Sequence, residues 1–235
     1  IKHVDEVDSN NSHFYQTTIN HTGQNLCSIE KMFFKFTLLA LSTVTLTLAG
    51  SPVGSGTWTS VNPSFSVQEC AGGVVSGDTF ILPSSPNGST SGSGCSNGHL
   101  RAERRYKNDY TSGVHQFGGE FEITSFTGDR VALKQTFNGP TGPFFIMGVK
   151  NNGDLYSVEG GATIASGVAQ VGATVRINTI HDADNQEYSV YVNGEKSWST
   201  SAPGGSFYDK CGAYPTDSGS GAITVNWSDV GFWTQ

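Results

Sequence analysis

Tyr188-Ser189-Val190-Tyr191-Val192-Asn193-Gly194 holds the fold of this chain in small compass. Large apolar side chains alternate with a smaller polar one, which is the period-two signature of a strand buried on one face. Asn-Gly follows at once, and this pair accepts the positive φ angles that a tight hairpin turn requires. The same grammar recurs on both sides. Gly119-Glu120-Phe121-Glu122-Ile123, Val131-Ala132-Leu133-Lys134-Gln135, Ala173-Thr174-Val175-Arg176-Ile177 and Ala222-Ile223-Thr224-Val225-Asn226 all alternate. Thr127-Gly128-Asp129, Asn138-Gly139-Pro140 and Asn151-Asn152-Gly153-Asp154 punctuate them as turns. No helical stripe interrupts the series. Many short strands with turn chemistry between them predict an all-β chain, and at this length a jelly-roll sandwich of two antiparallel sheets.

Composition agrees. Only 14% of the 235 residues are charged, and 30 are glycine, which excludes a coiled coil or helical bundle. The net charge of −7, with no basic block, excludes nucleic acid as an expected partner. An acidic protein can still hold a polyanion if its few cations are gathered in one place.

The first fifty residues read differently. Met32 is followed by Phe33-Phe34-Lys35-Phe36, an apolar run from Thr37 to Leu48, and the small residues Ala49, Gly50 and Ser51. A cation, an apolar stretch too short to span a bilayer and a small-residue exit predict a secretory signal over residues 32–50. Residues 1–31 are polar and aperiodic and read as leader sequence or an artefact. One domain is expected over 51–235, exported, monomeric and free of the membrane once the signal is removed. Cys70 and Cys95 flank a Gly/Ser/Pro-rich stretch, and in an oxidising compartment they are expected to form a disulfide. Cys211, in a strand-like run, is expected to be a buried free thiol. No metal-ligand spacing is visible, and no cofactor is expected.

Three strand motifs carry chemistry. Arg101-Ala102-Glu103-Arg104-Arg105 turns Arg101, Glu103 and Arg105 to one face. Planar guanidinium groups there form a carboxylate site that Glu103 can orient. Leu133-Lys134-Gln135-Thr136-Phe137 puts Gln135 on a face with Leu133 and Phe137. Tyr208-Asp209-Lys210-Cys211-Gly212-Ala213-Tyr214 puts Tyr208, Lys210, Gly212 and Tyr214 on one face and small residues on the other. Gly212 is expected to leave room for a ligand near the backbone.

Together, over roughly Leu100 to Phe232, the three motifs resemble the alginate-lyase-like jelly-roll polysaccharide lyases; a related family acts on glucuronan. Those enzymes carry Arg-x-Glu-x-Arg, Gln-Ile-His and Tyr-Phe-Lys-Ala-Gly-x-Tyr strands in this order. The resemblance implies a concave groove that cleaves a 4-linked polyuronate, an acidic polysaccharide, by β-elimination. It implies that Arg101 and Gln135 neutralise the uronate carboxylate, making the C5 proton removable. Tyr214 would take that proton and protonate the leaving O4. A free phenol titrates near pH 10, so nearby cations would have to favour its ionisation. Arg105 and Lys210 would hold neighbouring uronates, Tyr208 would line the groove, and Glu103 would orient the arginines. Phe137 stands where the family has His, which turns the expectation from guluronate toward glucuronate or mannuronate. These place the proton and the leaving group on one side, within reach of one tyrosine. His115 is the sequence candidate to replace the missing imidazole at the substrate. Two other readings stay open: a lectin-like sandwich without catalysis, and a β-glucanase. For the glucanase, Glu120 and Glu122 have the required spacing, but Ser125 stands where a third acid should be.

Overall fold

In the computed structural model, residues 50–92, 94–95, 98–139, 141–215 and 221–235 are described, and all belong to one compact unit. Except for Gly50, the leader-like segment 1–31 and the expected signal 32–50 lie outside the described residues. In chain order the strands are β1 (Thr59–Val61), β2 (Phe65–Cys70), β3 (Val74–Ser76), β4 (Thr79–Leu82), β5 (Arg101–Tyr106), β6 (Val114–Phe126), β7 (Arg130–Asn138), β8 (Gly142–Lys150), β9 (Leu155–Ser157), β10 (Thr163–Ala165), β11 (Thr174–Asp182), β12 (Glu187–Val192), β13 (Glu195–Ser201), β14 (Phe207–Tyr214) and β15 (Ile223–Thr234). Among the described residues there is no helix.

The strands pair antiparallel in two sheets. One runs β13-β12-β11-β6-β15-β4-β3, with β1 also on β15; the other runs β10-β9-β8-β7-β14-β5-β2. Neighbours in these sheets are often distant in sequence, as a sandwich with crossing connections requires. The expected hairpin at Asn193-Gly194 joins β12 to β13. Val192 pairs with Glu195, and both turn residues have positive φ, 52° and 89°. The apolar side chains of the alternating runs meet between the sheets. Phe80, Phe117, Phe121, Val131, Phe145, Val175, Val190 and Trp227 are all buried there.

Two features of this interior are polar. Lys134 is fully buried, and its ammonium donates to Asp209 at 2.7 Å and to the Tyr188 hydroxyl at 2.8 Å. Burial works against both charges. Mutual attraction, with Tyr188 and Thr136 also in contact, holds Lys134 above and Asp209 below their ordinary values. Nearby, His181 is boxed by the rings of Tyr110, Phe144, Tyr188 and Phe207. The expected Cys70–Cys95 disulfide is present, and Cys211 is buried and free. Burial pushes the Cys211 thiol up to about 12.

One expected facing fails. The β7–β8 register shifts between Ala132 and Lys134, so Leu133 joins Lys134 on the interior side. A bulge of this kind places two successive side chains on one face. Gln135 therefore keeps Phe137, but not Leu133, as a neighbour on its own face.

Candidate active site

β14 lies between β5 and β7, and its register brings the three motifs together. Lys210 pairs with Arg105 on one side and with Gln135 on the other; Gly212 pairs with Glu103, and Tyr208 with Phe137. Residues directly opposite in an antiparallel pair share a face. Ala102, Tyr106, Cys211 and Ala213 point into the interior. Arg101, Glu103, Arg105, Lys210 and Gln135 are thus left on the outer face of the seven-stranded sheet.

Glu103 is the centre of this arrangement, with 2% of its surface exposed. Its carboxylate accepts hydrogen bonds from the Arg101 guanidinium at 2.6 Å and the Gln135 amide at 2.5 Å. The Lys210 ammonium lies 3.7 Å away. Arg101, Gln135 and Lys210 are themselves buried, so each is held with little freedom. Burial keeps Lys210 below its ordinary lysine value, although Glu103 pulls the other way. Such a cluster is ordered before a ligand arrives and presents donors in fixed directions.

Tyr214 stands at one end. The Arg101 guanidinium carbon sits 4.4 Å from the centre of its ring. Its hydroxyl lies 2.9 Å from His99 Nδ1, with the rings nearly parallel at 24°. The sequence reading gave His99 no role. Its position held a clue: it stands two residues before Arg101, in step with Arg101, Glu103 and Arg105. His115, the sequence candidate, is instead in β6 of the other sheet. There it stacks on Tyr110 at 3.8 Å and donates from Nε2 to the Ser112 carbonyl. It takes no part in the cluster, because adjacency in sequence to an apolar strand says nothing about which sheet receives that strand.

Arg105 occupies the other end. Asp109 accepts two hydrogen bonds from its guanidinium, at 2.5 and 3.0 Å. The guanidinium also lies 4.0 Å over the Tyr208 ring, which is stacked on Phe137 at 5.0 Å and 19°. Gly212 was expected to make space for a ligand. A side chain there would instead strike the Ala102 carbonyl at 2.3 Å and the Glu103 Cα at 2.7 Å. Gly212 is needed for the close approach of β14 to β5. Glu120 and Glu122, the glucanase pair, are in β6 of the opposite sheet, where Phe121 and Ile123 fill the interior side. Two surface clefts of about 330 and 320 Å³ flank Val61–Pro63, and neither is lined by Arg101, Gln135, Lys210 or Tyr214. Among the described residues, no three His, Cys, Asp or Glu side chains are grouped as metal ligands would be.

No family model matches the chain. A citrate-binding protein of Hevea brasiliensis is 31% identical over 133 residues, which is 55% of this chain; the chain spans about half (54%) of that relative's length. In three dimensions the chain is similar to an alginate lyase of polysaccharide lyase family 7, with a TM-score of 0.51 and 18% identity over 68% of this chain and 80% of the other. It is similar also to an alginate lyase from Pseudomonas aeruginosa, with a TM-score of 0.52 and 17% identity over 72% of this chain and 86% of the other. At such identities the likeness is one of fold: an all-β jelly roll of the alginate-lyase type.

Proposed function

We propose that the protein is an exported polysaccharide lyase that cleaves a 4-linked uronate polysaccharide, of glucuronate or mannuronate configuration, by β-elimination. One observation carries this reading. A single buried carboxylate, Glu103, gathers Arg101, Gln135 and Lys210 on the face where Arg101 also abuts Tyr214. Export is supported by the Cys70–Cys95 bridge, which suits an oxidising compartment. No helix among the described residues is long and apolar enough to cross a membrane.

The chemistry follows from the placement. Arg101 and Gln135 turn donors toward the uronate carboxylate and stabilise the negative charge that develops as C5 loses its proton. The Tyr214 hydroxyl lies 2.9 Å from His99 Nδ1 and passes its proton to that nitrogen as its oxygen takes the C5 proton. The C5–H electrons become the C4=C5 double bond, and the C4–O4 bond breaks. Tyr214 then hands a proton to O4 and recovers one from His99, which returns both side chains to their starting forms.

The Hevea relative supports a second reading, in which a small polycarboxylate sits on the same cations and no bond is broken. Ultraviolet absorbance of the unsaturated uronate product separates the two. Under the lyase reading, Tyr214→Phe slows product formation by about 10²–10⁴-fold and leaves polymer binding nearly intact. Calorimetric binding of citrate, with no absorbance change on any uronate polymer, would replace the lyase by a binding protein.

A further inference from the structure

The charge around the site is unevenly spent. At the centre, Arg101 and Lys210 face the single carboxylate of Glu103, which leaves one net positive charge among the three. That matches one incoming carboxylate. At the Tyr208 end, Arg105 faces Asp109 in a two-pronged pair, and the sum is zero. The guanidinium is further fixed by its bond to the Tyr106 carbonyl at 2.9 Å and by its place over Tyr208. Its planar fork is already satisfied in the geometry that a uronate would need. What this end offers is half-buried aromatic surface from Tyr208 and Phe137, with the Lys210 ammonium 5.1 Å from the centre of the Phe137 ring but closer, at 3.7 Å, to Glu103. A carboxylate placed there would compete with Asp109 and be repelled by it, whereas an uncharged ring could lie against the aromatics. Lys150, another cation of this sheet, is in β8, two strands away from β14, and stands by Tyr156 of β9.

We propose that Asp109 is a specificity-determining residue. By neutralising Arg105 it reserves the Tyr208–Phe137 position for an uncharged sugar, so the preferred substrate is a polymer whose uronates are separated by neutral sugars. This rests on the lyase reading and narrows it: the sequence had assigned Arg105 to a neighbouring uronate.

The test compares kcat/KM on glucuronan, a homopolymer of glucuronate, with that on hyaluronan and deacylated gellan, where neutral sugars flank each 4-substituted glucuronate. The wild type is expected to favour at least one of the flanked polymers by about tenfold or more. Asp109→Asn keeps the shape of the side chain and frees the charge of Arg105. It should raise kcat/KM on glucuronan by about tenfold and leave the flanked polymer within about twofold. A wild type that cleaves glucuronan as well as the flanked polymers, or an Asp109→Asn protein with an unchanged preference, overturns the proposal while the lyase stands. Cleavage of polymannuronate alone, a uronate homopolymer, also overturns the proposal; if polymannuronate too yields no unsaturated product, the lyase reading fails instead. Affinity electrophoresis in the same polymers then reads the charge argument, which is overturned if Asp109→Asn gains no retention on glucuronan.

Discussion

Glu103, with three donors gathered on one buried carboxylate, lets Arg101 and Lys210 remain charged on a face that excludes most water. The alternation of Arg101-Ala102-Glu103-Arg104-Arg105 showed these side chains to be neighbours. It could not show that Gln135 and Lys210, 32 and 107 positions onward, would reach the same carboxylate. Nor could it show that Arg105 would be claimed by Asp109 four residues later, since that pairing depends on how the chain turns after β5. At this scale the decisive contact is His99 with Tyr214. If His99 acts by holding the phenolic proton, His99→Ala lowers kcat by about 10²-fold. Combined with Tyr214→Phe, it then adds almost nothing, because two members of one proton path do not contribute independently. A double variant showing the product of the two single losses would remove His99 from that path.

β14 shows how far period two carries a sequence reading, and where it stops. Asp209, Cys211 and Ala213 turn inward and Tyr208 and Lys210 outward, as the alternation required. Gly212 is the exception in meaning. Its φ of 141° and the mere 2.3 Å that would separate an added Cβ from the Ala102 carbonyl show a backbone drawn against β5. Gly212→Ala is therefore expected to destabilise the fold by about 2–3 kcal/mol and to loosen the Glu103 cluster. Urea unfolding measures the first effect and kcat/KM the second; a variant within about 0.5 kcal/mol of wild type would show that β14 can shift freely. β7 holds the matching lesson. Its bulge moved Leu133 to the interior, and nothing in the residues of β7 marks that register shift, which depends on its pairing with β8.

Across the whole molecule, the sheets are joined by packed rings, and His181 sits among them with 1% of its surface exposed. Burial lowers it from 6.5 to about 4, with Asp209 and Asp182 opposing and Lys134 and His115 assisting. The folded state thus holds the neutral imidazole, whereas the unfolded chain takes up a proton near pH 6.5. Above that pH the contribution of His181 to stability is complete. It is lost progressively as pH falls from 6.5 toward 4, by about 3 kcal/mol in all. His181→Gln, which does not titrate, should lose less stability than wild type between pH 6.5 and 5 in denaturant titrations. Parallel slopes in that window would assign the acid sensitivity elsewhere.

The sequence by itself determined the all-β class, the hairpin at Asn193-Gly194, the pairing of Cys70 with Cys95 and the outward faces of β5 and β14. The cysteine pairing rests on the loop the two residues flank in an oxidising compartment, and the others on local rules: alternation along a strand, turn residues that accept positive φ, and small residues where a strand must be covered. Only the tertiary structure decided that His99 meets Tyr214, that Asp109 occupies Arg105, that His115 belongs to the other sheet and that Leu133 faces inward. Each depends on which strand is received by which sheet, and in what register. Hydrogen bonds between strands far apart in the chain set that register, and a one-residue shift turns a side chain from one face to the other.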